Sequence, residues 1–375
     1  MDCLPINISG LLKYDKKWRE MMGYRYPYVD SFKYHLTEKL PTSDIKCYER
    51  YPNYNWVYDK LFIAQSQGLM CGKLETLKTQ KLAQVKFPIF IKPRWGHKSA
   101  FSVNCYKINK YEDLNDYFSL DQMIWSEFID ATEGMTDFMV LNGRIVHQIT
   151  YNYSKKQNGF SDDWKYISYD NKPPSKVVEW VNLHMKGFTG VVNAQYRGDT
   201  IIEIGLRLAR KGTYILSTQN KALIENINGL IEKGQWNHYN HDQMKFEPYY
   251  SFKCFVNCPI IYLFPEVIIN KIVTKYDVKP FYEYYFEPVG KDGLVFFQFS
   301  HNDFNKGMEL KKNMEFLFSY AQYSLLLLFV ISFVVIFTNV KFGISLLVIS
   351  FMLLLTRYLN PIFKNVSFYN KVIKR

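Results

Sequence analysis

The chain has 375 residues and a formal net charge of +12, long enough for two or three domains with real cores. Its basic residues are spread along the chain without a long block of like charge, so a nucleic-acid footprint is not implied. Six cysteines are scattered, only Cys254 and Cys258 lying close; no second pair supports a zinc site, and reduced, structural thiols are expected.

Residues 1–58 are aromatic and mixed, with turns at Tyr26-Pro27-Tyr28 and Tyr51-Pro52, and read as a small α/β lead-in. The first residues lack the basic start and long apolar run of a secretory signal. A helix is predicted from Asp59 to Gln67, with Gly68 as its stop. An apolar strand follows at Phe87 to Ile91 and ends in Lys92-Pro93. Next comes Arg94-Trp95-Gly96-His97-Lys98-Ser99, a cationic loop whose N–H groups and ammonium charge suit a phosphate chain. A strand-ending lysine is also ordinarily solvated, and the residues alone leave both readings open.

Val103 to Tyr106 reads as a returning strand, and Lys110 to Phe118 as a short amphipathic helix. Met123 to Ile129 reads as a strand running into a turn that carries Asp130 and Glu133. Asn142-Gly143 is a hairpin turn between two further strands. Residues 155–174 are polar, with Asn-Gly and Pro-Pro, and read as an exposed loop; Val177 to Met185 reads as a helix.

From Gly190 to Tyr214 the pattern is two strands around Arg197-Gly198-Asp199. In the second, Glu203, Gly205 and Arg207 fall on one face, and Ile202, Ile204, Leu206 and Leu208 on the other. A three-residue loop sets Gln195 opposite Ile201 and Asn193 opposite Glu203. A half-exposed hairpin with a solvated polar face has the same pattern.

Taken in order, these features resemble the ATP-grasp superfamily over about residues 55 to 230: Asp59-Lys60 opening a helix, the strand ending in Lys92, the Glu127-Phe128-Ile129 hinge with Glu133 beyond it, and the hairpin ending in Arg207. The resemblance implies an α+β fold in which two subdomains hold ATP between them. It implies that Lys60 and Lys92 hold the phosphates, that Gly96, His97, Lys98 and Ser99 close over them, and that the backbone of Glu127, Phe128 and Ile129 reads adenine. Glu133 would bind the ribose, Gln195 and Glu203 would ligate Mg²⁺, and Arg207 would steady the transferred phosphoryl group. Mg²⁺ suits such a site because it prefers hard oxygen ligands and takes one or two carboxylates beside phosphates. The family's second strand commonly places a metal-binding Asn where this chain has Gly205; water, or Asn193 from the facing strand, would have to serve. Arg144, His147 and Arg197 are further candidates for the cleft, and each also reads as an ordinary strand or turn residue.

Beyond the hairpin, Asn220 to Lys233 reads as a packed helix, and His238, His241 and Asp242 as loop residues rather than a metal site. Residues 250–310 are rich in Phe, Tyr, Pro and Val and are expected to contain strands. Ser324 to Val340 and Phe342 to Leu355 are apolar, each about long enough to cross a bilayer core of about 30 Å, and their short join makes them a hairpin. Lys306, Lys311 and Lys312 precede them, and Arg357, Lys364, Lys371, Lys374 and Arg375 follow, which places both flanks in the cytosol.

The expected organisation is therefore a lead-in (1–58), an ATP-grasp lid (59–122), an ATP-grasp core (123–235), an accessory β-containing segment (236–312), a transmembrane helical hairpin (313–360) and a basic cytosolic tail (361–375). The expected activity is a membrane-anchored, ATP- and Mg²⁺-dependent ligation of a carboxylate to an amine or thiol through an acylphosphate. The alternative is a nucleotide-binding scaffold without turnover.

Overall fold

Described in a computed structural model are residues 31–78, 85–98, 104–154, 156–157, 161–238, 242–256, 266–278, 281–282, 287–288 and 294–359. Expectations for residues 1–30, Ser99, His241 and the tail 361–375 lie outside them. The chain divides into two units, one of residues 32–154 and 165–249, the other of the remaining described residues.

In the first unit, Ser43 starts helix α1 (Asp44–Arg50) by accepting a hydrogen bond from the Lys46 amide at 3.3 Å, and Asp59 starts α2 (Lys60–Ser66) through the Leu61 amide at 3.0 Å. A four-stranded antiparallel sheet follows, built from β1 (Cys71–Lys73), β2 (Ile89–Pro93), β3 (Tyr106–Ile108) and β4 (Met123–Glu127) in the order β1-β4-β2-β3. Period-two alternation turns Ile89 and Ile91 into a core with Leu74, Leu77, Ile108, Leu114 and Trp125, and leaves Phe90 and Lys92 on the opposite face. The helix expected at Lys110 to Phe118 is a single tight turn, Tyr111–Leu114.

The larger sheet of this unit comprises β5 (Glu133–Leu141), β6 (Arg144–Tyr153), β7 (Trp164–Ser168), β8 (Gly190–Arg197) and β9 (Thr200–Gly205), paired antiparallel in the order β9-β8-β5-β6-β7. Strand β7 lies where a loop was expected; its Tyr166 and Ile167 pair with Asn152 and Tyr151. Helix α3 (Ser175–His184) covers one face, with Val177, Trp180 and Val181 against Phe138, Val140 and Val192. Helix α4 (Lys221–Lys233), capped by Asn220, covers part of the other, with Leu223, Ile227 and Leu230 against Met139, Ile149 and Tyr151. Toward β8 and β9 that second face changes from apolar to polar and carries Asp137, Asn193, Gln195, Glu203 and Gly205.

The hairpin register differs from the expected one. Arg197 lies opposite Thr200, so the loop has two residues, Gly198 and Asp199, with Gly198 at φ +58°. Gln195 lies opposite Glu203 and Asn193 opposite Gly205, and the ladder skips Ile202. This bulge reverses the parity of the strand's start, so that Ile201 rather than Ile202 joins Ile204 and Leu206 in the core.

In the second unit, β10 (Tyr249–Val256) pairs antiparallel with β11 (Leu294–His301), Phe252 lying opposite Phe299. Helix α5 is Glu266–Tyr276, and α6 is Phe304–Thr338. The start of α6, capped by Asp303, packs Leu310, Met314 and Phe318 on the aromatic side chains of the sheet, and the Phe296 and Phe318 rings stack at 4.1 Å. Lys311 is buried there and pairs with Asp163 at 3.3 Å and with Glu315, so it is not among the charges facing solvent. Farther along α6, Tyr323, Leu327, Val330, Val334 and Phe337 are exposed. Asn339 joins α6 to α7 (Val340–Leu359), and its Oδ1 accepts from the Phe342 amide at 3.1 Å. The two helices pack on each other, with Ser332 and Ser350 fully buried and no room at Gly343, where an added Cβ would lie 2.5 Å from the Ile336 amide nitrogen. Among the described residues one helix, α6, is long and apolar enough to cross a membrane, and Val340–Phe351 is a shorter apolar stretch.

Candidate functional site

Ile202 has no partner across the hairpin ladder, and Lys92 of the small sheet donates its ammonium to the Ile202 carbonyl at 2.9 Å. Lys60, the first residue of α2, reaches the neighbouring Glu203, Nζ to Oε2 3.4 Å. Glu203 thus stands beside two lysines from separate elements. Its own side chain is 38% exposed while that of Lys60 is 6% exposed, so the carboxylate is the open side of the cluster. Burial, and then the charge of Lys60, lowers the Lys92 ammonium to about 8. Asp59 holds the cluster in place. It caps α2 and grips Arg94 through two hydrogen bonds of 2.9 and 2.5 Å, while the Lys60 amide donates to the Arg94 carbonyl at 2.9 Å. A Cβ on Gly96 would stand 3.4 Å from Glu203 Oε1 and 3.5 Å from Lys60 Cε, so the backbone of the loop lies directly over the ion pair.

The rest of that loop is docked rather than extended. His97 stacks on Tyr48 of α1 with ring centroids 3.8 Å apart. Burial, and then Lys98, lowers its pKa to about 4, so at neutral pH His97 contributes no positive charge, and Lys98 is exposed.

At the hinge, the Glu127 amide donates to the Met70 carbonyl at 2.9 Å and the Phe128 amide to the Pro88 carbonyl at 3.3 Å. Arg197 spans the hinge and Glu133: its Nη1 donates to the Ile129 carbonyl at 3.4 Å and its Nη2 lies 3.5 Å from Glu133 Oε2. Gln195 donates to the other Glu133 oxygen. Lys107 lies over the Phe128 ring, 4.1 Å from its centroid. Arg197, which the sequence left as an ordinary turn residue or a cleft residue, therefore sits with Glu133.

Past Glu203, Arg207 grips Asp44 of α1, donating from Nε at 2.9 Å and from Nη2 at 2.7 Å to the same oxygen, Oδ2. Asn193 turns its amide N–H to Asp137 at 2.7 Å. Asp137 is fully buried and also accepts from Tyr151 Oη at 2.6 Å and from the Ala209 amide at 3.1 Å; burial nevertheless raises its carboxyl to about 6. Asp44, Tyr48 and Asp137 were not singled out in the sequence. The acid that opens α1 resembles any first-turn acid, and only the fold brings it to a strand far along the chain. Arg144 and His147 do not join the cluster. They line a cavity of about 470 Å³ with Gln148, Tyr169, Lys172 and Asn182.

Comparison with solved structures places this architecture. The L-amino acid ligase of Bacillus licheniformis is 13% identical, with a TM-score of 0.50 over 84% of this chain and 85% of that one. Carboxyaminoimidazole ribonucleotide synthase of Aspergillus clavatus, solved with ATP, is 11% identical, with a TM-score of 0.48 over 71% of this chain and 77% of that one. N5-carboxyaminoimidazole synthetase of Staphylococcus aureus, solved with ADP, is 13% identical, with a TM-score of 0.48 over 69% and 71%. No family model matches the chain, and no curated protein does. The fold is the α+β ATP-grasp fold, shared with the L-amino acid ligase structure, and an apolar helical region lies toward the C-terminal end.

Proposed function

We propose that the first unit binds ATP and Mg²⁺ and that the protein is an ATP-dependent ligase joining a carboxylate to an amine or thiol. The observation that carries this reading is the meeting of Lys92, Lys60 and Glu203 under the Gly96 backbone. Two buried ammonium groups suit a polyphosphate, and an open carboxylate beside them suits a hard cation. Lys60 and Lys92 hold the phosphates; Glu133, oriented by Gln195 and Arg197, receives the ribose hydroxyls. Glu203 would hold Mg²⁺, which neutralises phosphate charge when bound. Arg207 steadies the transferred phosphoryl group. In the reaction, a carboxylate oxygen of the substrate attacks the γ-phosphorus and the bond to ADP breaks, giving an acylphosphate. An amine or thiol then attacks the acyl carbon and inorganic phosphate leaves, the nucleophile's proton passing to solvent. The long apolar run of α6, paired with α7, supports anchoring of this activity at a lipid bilayer with the nucleotide-binding unit on the cytosolic side.

Gly205 favours a second reading, a scaffold that binds nucleotide without turnover. Purified full-length protein in detergent, given ATP and Mg²⁺ with panels of carboxylates and amines, tests both. ADP release that requires both partners and is lost in Lys92→Ala and Glu203→Ala supports the ligase. ATP binding without ADP release across the panels supports the scaffold, and absence of ATP binding overturns both.

A further inference from the structure

The polar face of β9 carries Glu203 but no side chain at its next position, Gly205. The backbone does not require glycine there, because Gly205 does not adopt a left-handed conformation. What stands in the way of a side chain is Asp44. A Cβ on Gly205 would lie 2.9 Å from Asp44 Oδ1, and the next neighbouring atoms are 3.9 and 4.0 Å away. The carboxylate of Asp44, arriving on the first turn of α1, therefore occupies the space into which residue 205 of the strand would project.

The two oxygens of that carboxylate are used unequally. Arg207 directs both of its hydrogen bonds to Oδ2. Oδ1, the oxygen over Gly205, is shielded from solvent and has no hydrogen-bond partner among the described residues. A buried carboxylate oxygen without a donor is costly, and such atoms call for a partner. Ser43 and Cys47 on either side fix the placement. Ser43 caps the helix, and Cys47 donates its thiol to the Leu206 carbonyl at 3.2 Å, tying α1 to the strand one residue past Gly205. Glu203 is two residues away on the same face of the strand. Among the described residues no group of three or more acidic, histidine or cysteine side chains is placed to hold a metal ion, so a cation here would need phosphate oxygens and water beside the two carboxylates.

We infer that Asp44 supplies, from α1, the oxygen ligand that β9 lacks at Gly205, so that Asp44 and Glu203 together hold the divalent cation of a bound metal–nucleotide. The inference rests on the proposed nucleotide site. It makes α1, which precedes the nucleotide-binding strands, a part of the metal site, with Arg207 positioned by the oxygen of Asp44 that does not face the cation.

The test uses full-length protein with Mn²⁺ and ADP, read by the electron paramagnetic resonance signal of free Mn²⁺, with metal-free ADP binding measured separately by calorimetry. Asp44→Asn keeps an oxygen for Arg207 but replaces Oδ1 with an amide nitrogen, which does not ligate. It is expected to weaken Mn²⁺ binding in the presence of ADP at least about tenfold, the lower end of the loss caused even by removing an outer-shell partner. Metal-free ADP binding should not weaken, because the substitution removes a negative charge from beside the phosphates. Asp44→Ala should lose at least as much, and Asp44→Ala combined with Gly205→Asn, whose new amide oxygen enters the space left by Asp44, should regain most of it. Mn²⁺ affinity in Asp44→Asn equal to that of the unaltered protein overturns the inference and leaves Asp44 as a positioning residue for Arg207. So does a folded double variant, verified by its melting transition, that regains nothing. Failure of the unaltered protein to bind ADP at all would instead overturn the nucleotide site, an outcome that the metal-free measurement separates from the others.

Discussion

Lys92 and Ile202, 110 residues apart, are joined by a 2.9 Å hydrogen bond from the lysine ammonium to the carbonyl of the residue that the hairpin register skips. The bond ties the small sheet to the residue next to Glu203 and holds a charge in a buried place. Replacing Lys92 with Met retains most of the stem and removes the charge. Nucleotide affinity is expected to fall about tenfold to a hundredfold, the worth of one charge-assisted hydrogen bond, as measured by calorimetry. Because the ammonium of the unliganded protein lies near pKa 8, phosphate binding at pH 8 to 9 should draw in a proton. Titrations in buffers of different ionisation enthalpy read that uptake directly, and it should vanish in Lys92→Met.

Asp137 gives stability a particular pH dependence. Its folded pKa of about 6 lies above the unfolded value near 3.8, so the folded state holds the proton more tightly. Its stabilising contribution is complete below the unfolded value and is lost as pH rises through about 6. Denaturation of the unaltered protein and of Asp137→Asn across pH 4 to 8 should show the difference between them shifting in favour of the variant as pH rises. Asp137→Ala removes the acceptor for Tyr151, Asn193 and Ala209 together and should cost about 3 kcal/mol or more.

His97 should remain neutral through the physiological range. With its pKa near 4, its ring resonances should stay flat from pH 7.5 to about 5 in an NMR titration. The unfolded chain binds that proton near pH 6.5, so this residue's contribution to stability falls as pH drops from there toward 4. Tyr48→Ala removes the stacked ring and should move the His97 titration back toward 6.5.

The docking of α6 on its sheet leaves no room at Gly307, where an added Cβ would run into the Phe252 ring. Gly307→Ala improves helix propensity, yet overpacking should dominate and cost about 1–3 kcal/mol. A lowered melting temperature in detergent checks this; an unchanged or raised one would mean that the ring gives way.

Alternation along Thr200 to Leu208 made Glu203 and Arg207 legible as partners on one face, and the apolar run into Lys92 marked the end of a strand. Local pattern carried less elsewhere. A three-residue and a bulged two-residue connection both leave Gln195 and Glu203 on the polar face, so the register depended on packing that the sequence does not display. Strand β7 was hidden by the Asn-Gly and Pro-Pro punctuation around it, although Tyr166 and Ile167 occupy paired positions. Asp44 could not be read at all. It meets Arg207 across 163 residues, and a first-turn acid is accounted for by the helix macrodipole alone.

Helix α6 is continuous for 35 residues, about 52 Å at the rise of an α-helix, from its cap at Asp303 over the aromatic sheet into its exposed apolar half. No glycine- or proline-rich joint separates the packed part from the apolar part. The helix is therefore a stiff lever with its fulcrum on the Phe252, Phe296 and Phe299 rings. A tilt imposed at the Phe337 end arrives at the sheet as torque rather than being absorbed by a tether, and the sheet's own seat on the helix fixes the angle at which the lever stands.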